Sequence, residues 1–286
     1  PHIFFNPQIL DGDQADLDPK GMLKLRKNMR HAVMVEEERV IGQAKEAASH
    51  PAYPGPTIQF GSYRMKDYNN DFEAGRWYSQ SRLPLIGNDA ATVRRVRDPH
   101  AFFGALDAHG VAHPPVRYDR PDDARGWLRK DFGGCGGWQV QRAEQAGDDA
   151  LGATQYLQRW HDGAPMSATF IADGQRARML GCNLQLSREV GQAPFAWRGV
   201  IGPLPVSDAV QVQVMAALQA LVGAFGLRGL CSLDFLLREP GPRVEVLEVN
   251  PRPPASLVLY AAHGLPVIDA HLRACEGGGL DAVPTM

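Results

Sequence analysis

Cysteine, unbalanced charge and long apolar runs are all scarce in this 286-residue sequence, and each scarcity removes a class of function. The four cysteines, Cys135, Cys182, Cys231 and Cys275, include no C-x-x-C pair, so neither a zinc ribbon nor a secreted disulfide framework is on offer. That usage fits a reducing compartment, and a cytoplasmic protein is expected. Thirty Lys and Arg against 32 Asp and Glu leave a net charge of -2, without the basic excess with which proteins grip a nucleic-acid backbone. No apolar run approaches the roughly 18–20 residues of a membrane span, and Pro1-His2-Ile3-Phe4-Phe5-Asn6 lacks the basic-then-apolar order of an export signal. The expectation is a soluble protein with neither nucleic acid nor membrane as partner. What is present is core material. With 44% hydrophobic and 22% charged residues, the chain can build one large core or two modest ones, which excludes a disordered tail.

Residues 1–82 differ in texture from the rest. Asp18-Pro19 is a helix start, and Met22, Leu25, Met29, Val33, Val40, Ala44 and Ala47 behind it fall on one stripe of a long helix. Glu36-Glu37-Glu38 reads as its solvated face, and an exposed apolar stripe there would suit a homodimer. From His50 to Ser81 the chain is rich in Pro, Gly, Tyr and Asn, with Thr57-Ile58-Gln59-Phe60 as its one short strand candidate.

From Leu83 to Met286 the pattern is regular. Leu83 to Asn88 reads as a short buried strand, Asp89 caps a short helix through Val93 and Val96, and Asp98-Pro99 opens a second helix carrying Phe102, Phe103 and Leu106. Strands are expected at 126–130, 138–141, 154–160, 166–172, 177–186, 229–237 and 244–250. One long helix interrupts them, capped by Ser207 and ended by Gly226. The order is α+β, with antiparallel hairpins rather than βαβ alternation.

Three segments carry candidate chemistry. In Gly133-Gly134-Cys135-Gly136-Gly137, four glycines in five positions let backbone N–H groups converge on an anion, and Lys130 just before them adds a cation. The same segment also suits a plain flexible hairpin turn. The second candidate is a hairpin, Leu233 to Arg238 and Val244 to Asn250, joined by Glu239-Pro240-Gly241-Pro242-Arg243. Pairing that is symmetric about Gly241 sets Asp234 opposite Glu248, two carboxylates that repel unless a cation lies between them. Asn250, two residues on, falls on the same face. Oxygen donors without Cys or His suit a hard cation, Mg²⁺ or Mn²⁺; a one-residue slip would put the carboxylates on opposite faces. Pro251, Pro253 and Pro254 then restrict the direction of Arg252, which reads as a phosphate ligand or a surface arginine. The third segment, Gln158-Arg159-Trp160-His161 before Gly163, is a strand running into a loop, where free backbone groups can read an adenine edge. His161 suits a contact residue and a structural loop histidine equally.

In order and spacing these segments resemble the ATP-grasp superfamily, with the closest feel to its carboxylate–amine ligases. Lys130 with Gly134, Gly136 and Gly137 looks like the lysine and glycine-rich lid over ATP phosphates. Gln158, Arg159, Trp160 and His161 look like the adenine-holding hinge, and Asp234, Glu248, Asn250 and Arg252 like the metal-binding set and its arginine. The resemblance implies two α+β subdomains gripping ATP with Mg²⁺ or Mn²⁺, a lid at about 125–165 and a metal-binding subdomain at about 166–275, behind an atypical N-terminal region. It implies a ligase that joins a small-molecule carboxylate to an amine through an acyl phosphate, with Arg252 and Lys130 catalytic. A kinase of the same fold and a non-catalytic nucleotide-binding protein are the alternatives. The sequence departs from the family pattern at Asp98-Pro99, where a lysine often opens the helix and only Arg97 and His100 stand nearby, and at Ala255, where glycine is common. Arg198 suits either a substrate carboxylate or a surface salt bridge.

Overall fold

The computed structural model describes residues 85–134, 136–146, 150–191, 193–281 and 283, together with the backbone of 2–5. The expected helix behind Asp18-Pro19, the strand at Thr57–Phe60 and the proposed dimer stripe lie outside the described residues, as does Cys135.

The two expected helices after residue 88 form where their caps place them. In α1 (Ala90–Arg97) the Asp89 carboxylate accepts from Thr92 N at 2.7 Å, and in α2 (Pro99–Ala108) Asp98 accepts from His100 N at 2.9 Å, satisfying N–H groups a helix start leaves unpaired. Phe102, Phe103 and Leu106 are buried. Leu85 to Asn88 bends rather than pairing as a strand. Asn88 is tied by its amide instead, accepting from Arg228 N at 2.8 Å and donating to Pro251 O at 3.0 Å.

A small antiparallel sheet follows, built from β2 (Val116–Arg117), β3 (Trp127–Asp131), β4 (Gln141–Arg142) and β5 (Gln155–Arg159) in the order β2-β5-β3-β4. The strand expected at 138–141 shrinks to the two residues of β4, because the glycine-rich segment continues as turns through Gln139.

The large sheet is also antiparallel. It comprises β1 (His2–Phe5), β6 (Ala164–Asp173), β7 (Ala177–Val190), β8 (Ala193–Leu204), β9 (Arg228–Arg238) and β10 (Arg243–Asn250), in the order β1-β8-β7-β6-β9-β10. Neither β1 nor β8 stands out in the sequence; Pro194, Gly199, Gly202 and Pro203 interrupt any alternation in β8. One face packs on α3 (Asp208–Phe225), where Val214, Leu218 and Leu221 meet Leu233, Phe235 and Val246. Helix α3 has the length and mean hydropathy, 1.3, of a membrane-crossing helix, but its apolar stripe is spent on this core. It ends at Gly226 in the left-handed conformation, φ 67°. Against the other face lie α4 (Leu257–Ala262) and α5 (Val267–Cys275), over Ile171, Leu180 and Leu230. Farther along that face the sheet turns polar, and there the site forms.

Candidate functional site

The β9–β10 hairpin sets Asp234 opposite Glu248, but not by simple symmetry. Near the turn Arg243 pairs with Arg238 and Val246 with Phe235; the register then shifts, and Glu248 pairs with Asp234 and Asn250 with Ser232. Leu247 is the extra residue of a β-bulge. Had the first register continued, Leu247 would oppose Asp234, and Glu248 would fall opposite Leu233, on the core face. Past the bulge, Val249 returns to the core and Asn250 to the face of Glu248.

Asp234 is held from two sides. Asn250 Nδ2 donates to its Oδ2 at 3.3 Å, and Gln185 Nε2, from β7, donates to its Oδ1 at 3.2 Å. Burial, and next the facing Glu248 carboxylate, push the Asp234 carboxyl well above the ordinary carboxylate range, while Arg252 and Gln185 pull it back. Two carboxylates so placed are the arrangement a cation relieves. Among the described residues no three of His, Cys, Asp and Glu converge. The donors are two carboxylates and an amide oxygen, a set that fits a hard divalent cation keeping some of its water.

Lys130 reaches the same space from the small sheet. It pairs across the strands with Tyr156, and its Nζ donates to Gln158 Oε1 at 3.0 Å. Burial works against its charge, but Tyr156, Glu248 and Asp234 around it prevail and raise its pKa. The glycine loop after β3 is seated on β8, with Trp197 N donating to Gly136 O at 2.9 Å. Gly137 has φ 74°, and a Cβ there would collide with the Phe195 carbonyl oxygen, so that position admits only glycine. Lys130, Gly134, Gly136, Gly137, Glu248 and Asn250 line one cleft with Arg97, Phe102, Phe103 and Tyr156, enclosing about 70 Å³. A larger cavity of about 670 Å³, beside the start of β7 and the end of β8, contains none of the sequence-predicted residues.

The hinge segment divides. Gln158 is 2% exposed beside Lys130, and its Nε2 has no hydrogen-bond partner among the described residues. Arg159 turns away, stacking over Trp127 at 5.4 Å and donating to Arg125 O at 3.0 Å. Trp160 spends its main-chain N–H on Gly126 O at 2.9 Å, and the residue is 38% exposed. His161 Nδ1 lies 2.6 Å from Glu245 Oε2. Glu245, 1% exposed, also accepts from Arg238 at 3.0 Å. Burial opposes its charge, yet the bonds from His161 and Arg238 hold its carboxyl below the usual glutamate range. Two further positions are decided by contacts. His100 stacks on Tyr118 at 3.5 Å, whereas Arg97 lines the cleft. Gln185, Trp197 and Tyr156 escaped the sequence reading, because no local spacing marks a residue whose partner is 12 to 49 positions away.

A family model for the ATP-grasp domain matches residues 96–256. No curated protein matches the chain. Among solved structures, pyruvate carboxylase from Rhizobium etli matches 72% of the chain at 19% identity and TM-score 0.57. N5-carboxyaminoimidazole ribonucleotide synthetase from Thermotoga maritima matches 76% at 15% and 0.53. L-amino acid ligase from Bacillus licheniformis matches 74% at 13% and 0.55. The chain spans 21%, 57% and 56% of those three proteins, respectively.

Proposed function

The chain belongs to the ATP-grasp family, and from that premise we propose that it is an ATP-dependent ligase joining a small carboxylic acid to an amine through an acyl phosphate. The observation that supports this most is the bulged hairpin, which turns Asp234, Glu248 and Asn250 to one face across the cleft from Lys130 and the glycine loop. The similar structures are those of a carboxylase, a synthetase and a ligase.

In this reading residues 125–165, which carry β3, β4 and β5, are the lid, and 166–275, which carry most of β6 and β7 to β10, are the metal-binding part. Asp234, Glu248 and Asn250 hold Mg²⁺ or Mn²⁺, which when bound neutralises phosphate charge. Lys130 and Arg252 balance the charge that builds on the transferring phosphoryl group, so the protein's work is positioning and electrostatics. Gln158, with its unspent Nε2 donor, meets the base at the hinge; Trp160, its main-chain N–H already bonded to Gly126 O, contributes only its carbonyl, His161 contributes backbone, and Arg159 buttresses the lid. Arg97 supplies the cation that Pro99 cannot. An acid oxygen attacks the γ-phosphorus and ADP leaves; the amine then attacks the acyl carbon and phosphate leaves. The cleft, about 70 Å³, is below the roughly 300 Å³ at which ligand pockets begin, so the glycine loop lifts from β8 to admit the nucleotide.

The test is product analysis with panels of acids and amines in MgATP. Release of ADP and free phosphate that requires both an acid and an amine is the expected result. A stable phosphate ester would mean a kinase, and nucleotide binding without turnover on any pair would mean a binding protein.

A further inference from the structure

The metal carboxylates have a support that comes from neither strand of their hairpin. Val200 on β8 pairs with Gln185 on β7, and Leu186 pairs with Gly199, but Ser187 pairs with Trp197, leaving Arg198 as an extra residue. Strict alternation from Val200 would have placed Trp197 on the α3 side of the sheet. The bulge at Arg198 turns it to the face of Gln185 and Asp234. There Trp197 Nε1 donates to Gln185 Oε1 at 2.5 Å, and Gln185 Nε2 donates to Asp234 Oδ1 at 3.2 Å.

The order of atoms in this chain has only one solution. An indole N–H donates and cannot accept. It therefore claims the oxygen of the Gln185 amide and forces the NH₂ end toward Asp234. A glutamine without that neighbour is free to turn its amide over and present oxygen to oxygen. In the nucleotide-free protein, with the glycine loop seated on β8, Trp197 is itself held by the bond from its main-chain N–H to Gly136 O at 2.9 Å.

We propose that Trp197 and Gln185 are positioning residues for the metal site, Trp197 setting the amide of Gln185 and Gln185 setting the carboxylate of Asp234. The inference rests on the reading of Asp234 as a metal ligand. Ligand-orienting partners of this kind are worth about 10- to 100-fold in metal affinity.

The experiment titrates Mn²⁺ into nucleotide-free protein, followed by electron paramagnetic resonance, for wild type, Trp197→Phe, Gln185→Leu and the double variant. Each single variant is expected to weaken Mn²⁺ binding by about tenfold, and the double variant by no more than the worse single, since both break one chain. ATP affinity in chelator is expected to stay within about twofold of wild type, a split that general loosening of the sheet would not produce. Melting temperatures show that each variant is folded, and Gln185→Leu carries the test if Trp197→Phe is not. Wild-type Mn²⁺ affinity in both single variants, or additive losses in the double, overturns the relay while leaving the metal site standing. No Mn²⁺ uptake by wild type brings down the functional reading, and the relay with it.

Discussion

Two polar stretches frame the same cleft and deliver their side chains in different ways. In the β9–β10 hairpin Asp234, Glu248 and Asn250 share a face, fixed by cross-strand partners on both sides of one bulge. At the end of β5 the strand stops, and only Gln158 of the four hinge side chains lies beside Lys130. Arg159, the last paired residue of β5, is turned by the same alternation to the opposite face, over its cross-strand partner Trp127, whereas His161, past the pairing, takes Glu245 from β10. Within a sheet the period of two sets direction; beyond its last paired residue, long side chains go where tertiary contacts offer a better place.

That contrast can be broken experimentally, beginning where the largest effect is expected. Glu248→Ala removes the carboxylate that faces Asp234, a proposed metal ligand, and is expected to lower ATP turnover about a hundredfold or more, read as ADP formation in folded protein. Lys130→Met removes the cation proposed to hold phosphate by a charge-assisted hydrogen bond and is expected to weaken nucleotide binding by about 2 kcal/mol, read by calorimetry. Gly137→Ala sets a Cβ against the Phe195 carbonyl at φ 74°; the loop is expected to leave β8, so nucleotide affinity falls while the melting temperature changes little.

The hinge side is expected to respond in stability rather than in binding. Glu245 has a folded-state pKa below its usual 4.5, so its contribution is present above that value and is lost as pH falls through the lowered one. Acid unfolding of Glu245→Gln should therefore show a shallower pH dependence below about pH 5 than wild type does. The smallest effect belongs to Arg159→Ala and His161→Ala. Both are expected to keep nucleotide affinity within about twofold, while His161→Ala loses about 1 kcal/mol of stability. A large loss of nucleotide affinity in either would put those side chains in the cleft after all.

Helices α1 to α3 and most strands of residues 89–250 were legible because caps and period-two alternation are local signals: Asp89, Asp98 and Gly226 each mark the boundary they were read to mark, whereas α4 and α5 were not read from the sequence. The Asp234–Glu248 pairing was also legible, though the symmetry argument reached it by a route the backbone does not take. Nothing local announces the bulge at Leu247, which depends on Val246 and Val249 both being needed in the core. Strand β8 was invisible because its prolines and glycines mask its alternation, and with it went Trp197 and the role of Gln185. Gly133 to Gly137 stayed ambiguous in sequence; its seat on Trp197 is a contact made 61 residues away.

The central claim is that the bulged hairpin holds a divalent cation beneath a nucleotide. It is tested most directly by the melting temperature with a non-hydrolysable ATP analogue, with and without Mg²⁺, for wild type and Glu248→Ala. A ligand that binds only the folded state at about a hundred times its dissociation constant stabilises by about 2.7 kcal/mol, so a rise of several degrees is expected with Mg²⁺, and a clearly smaller one without it or in the variant. An equal rise without Mg²⁺, or in Glu248→Ala, would contradict the account.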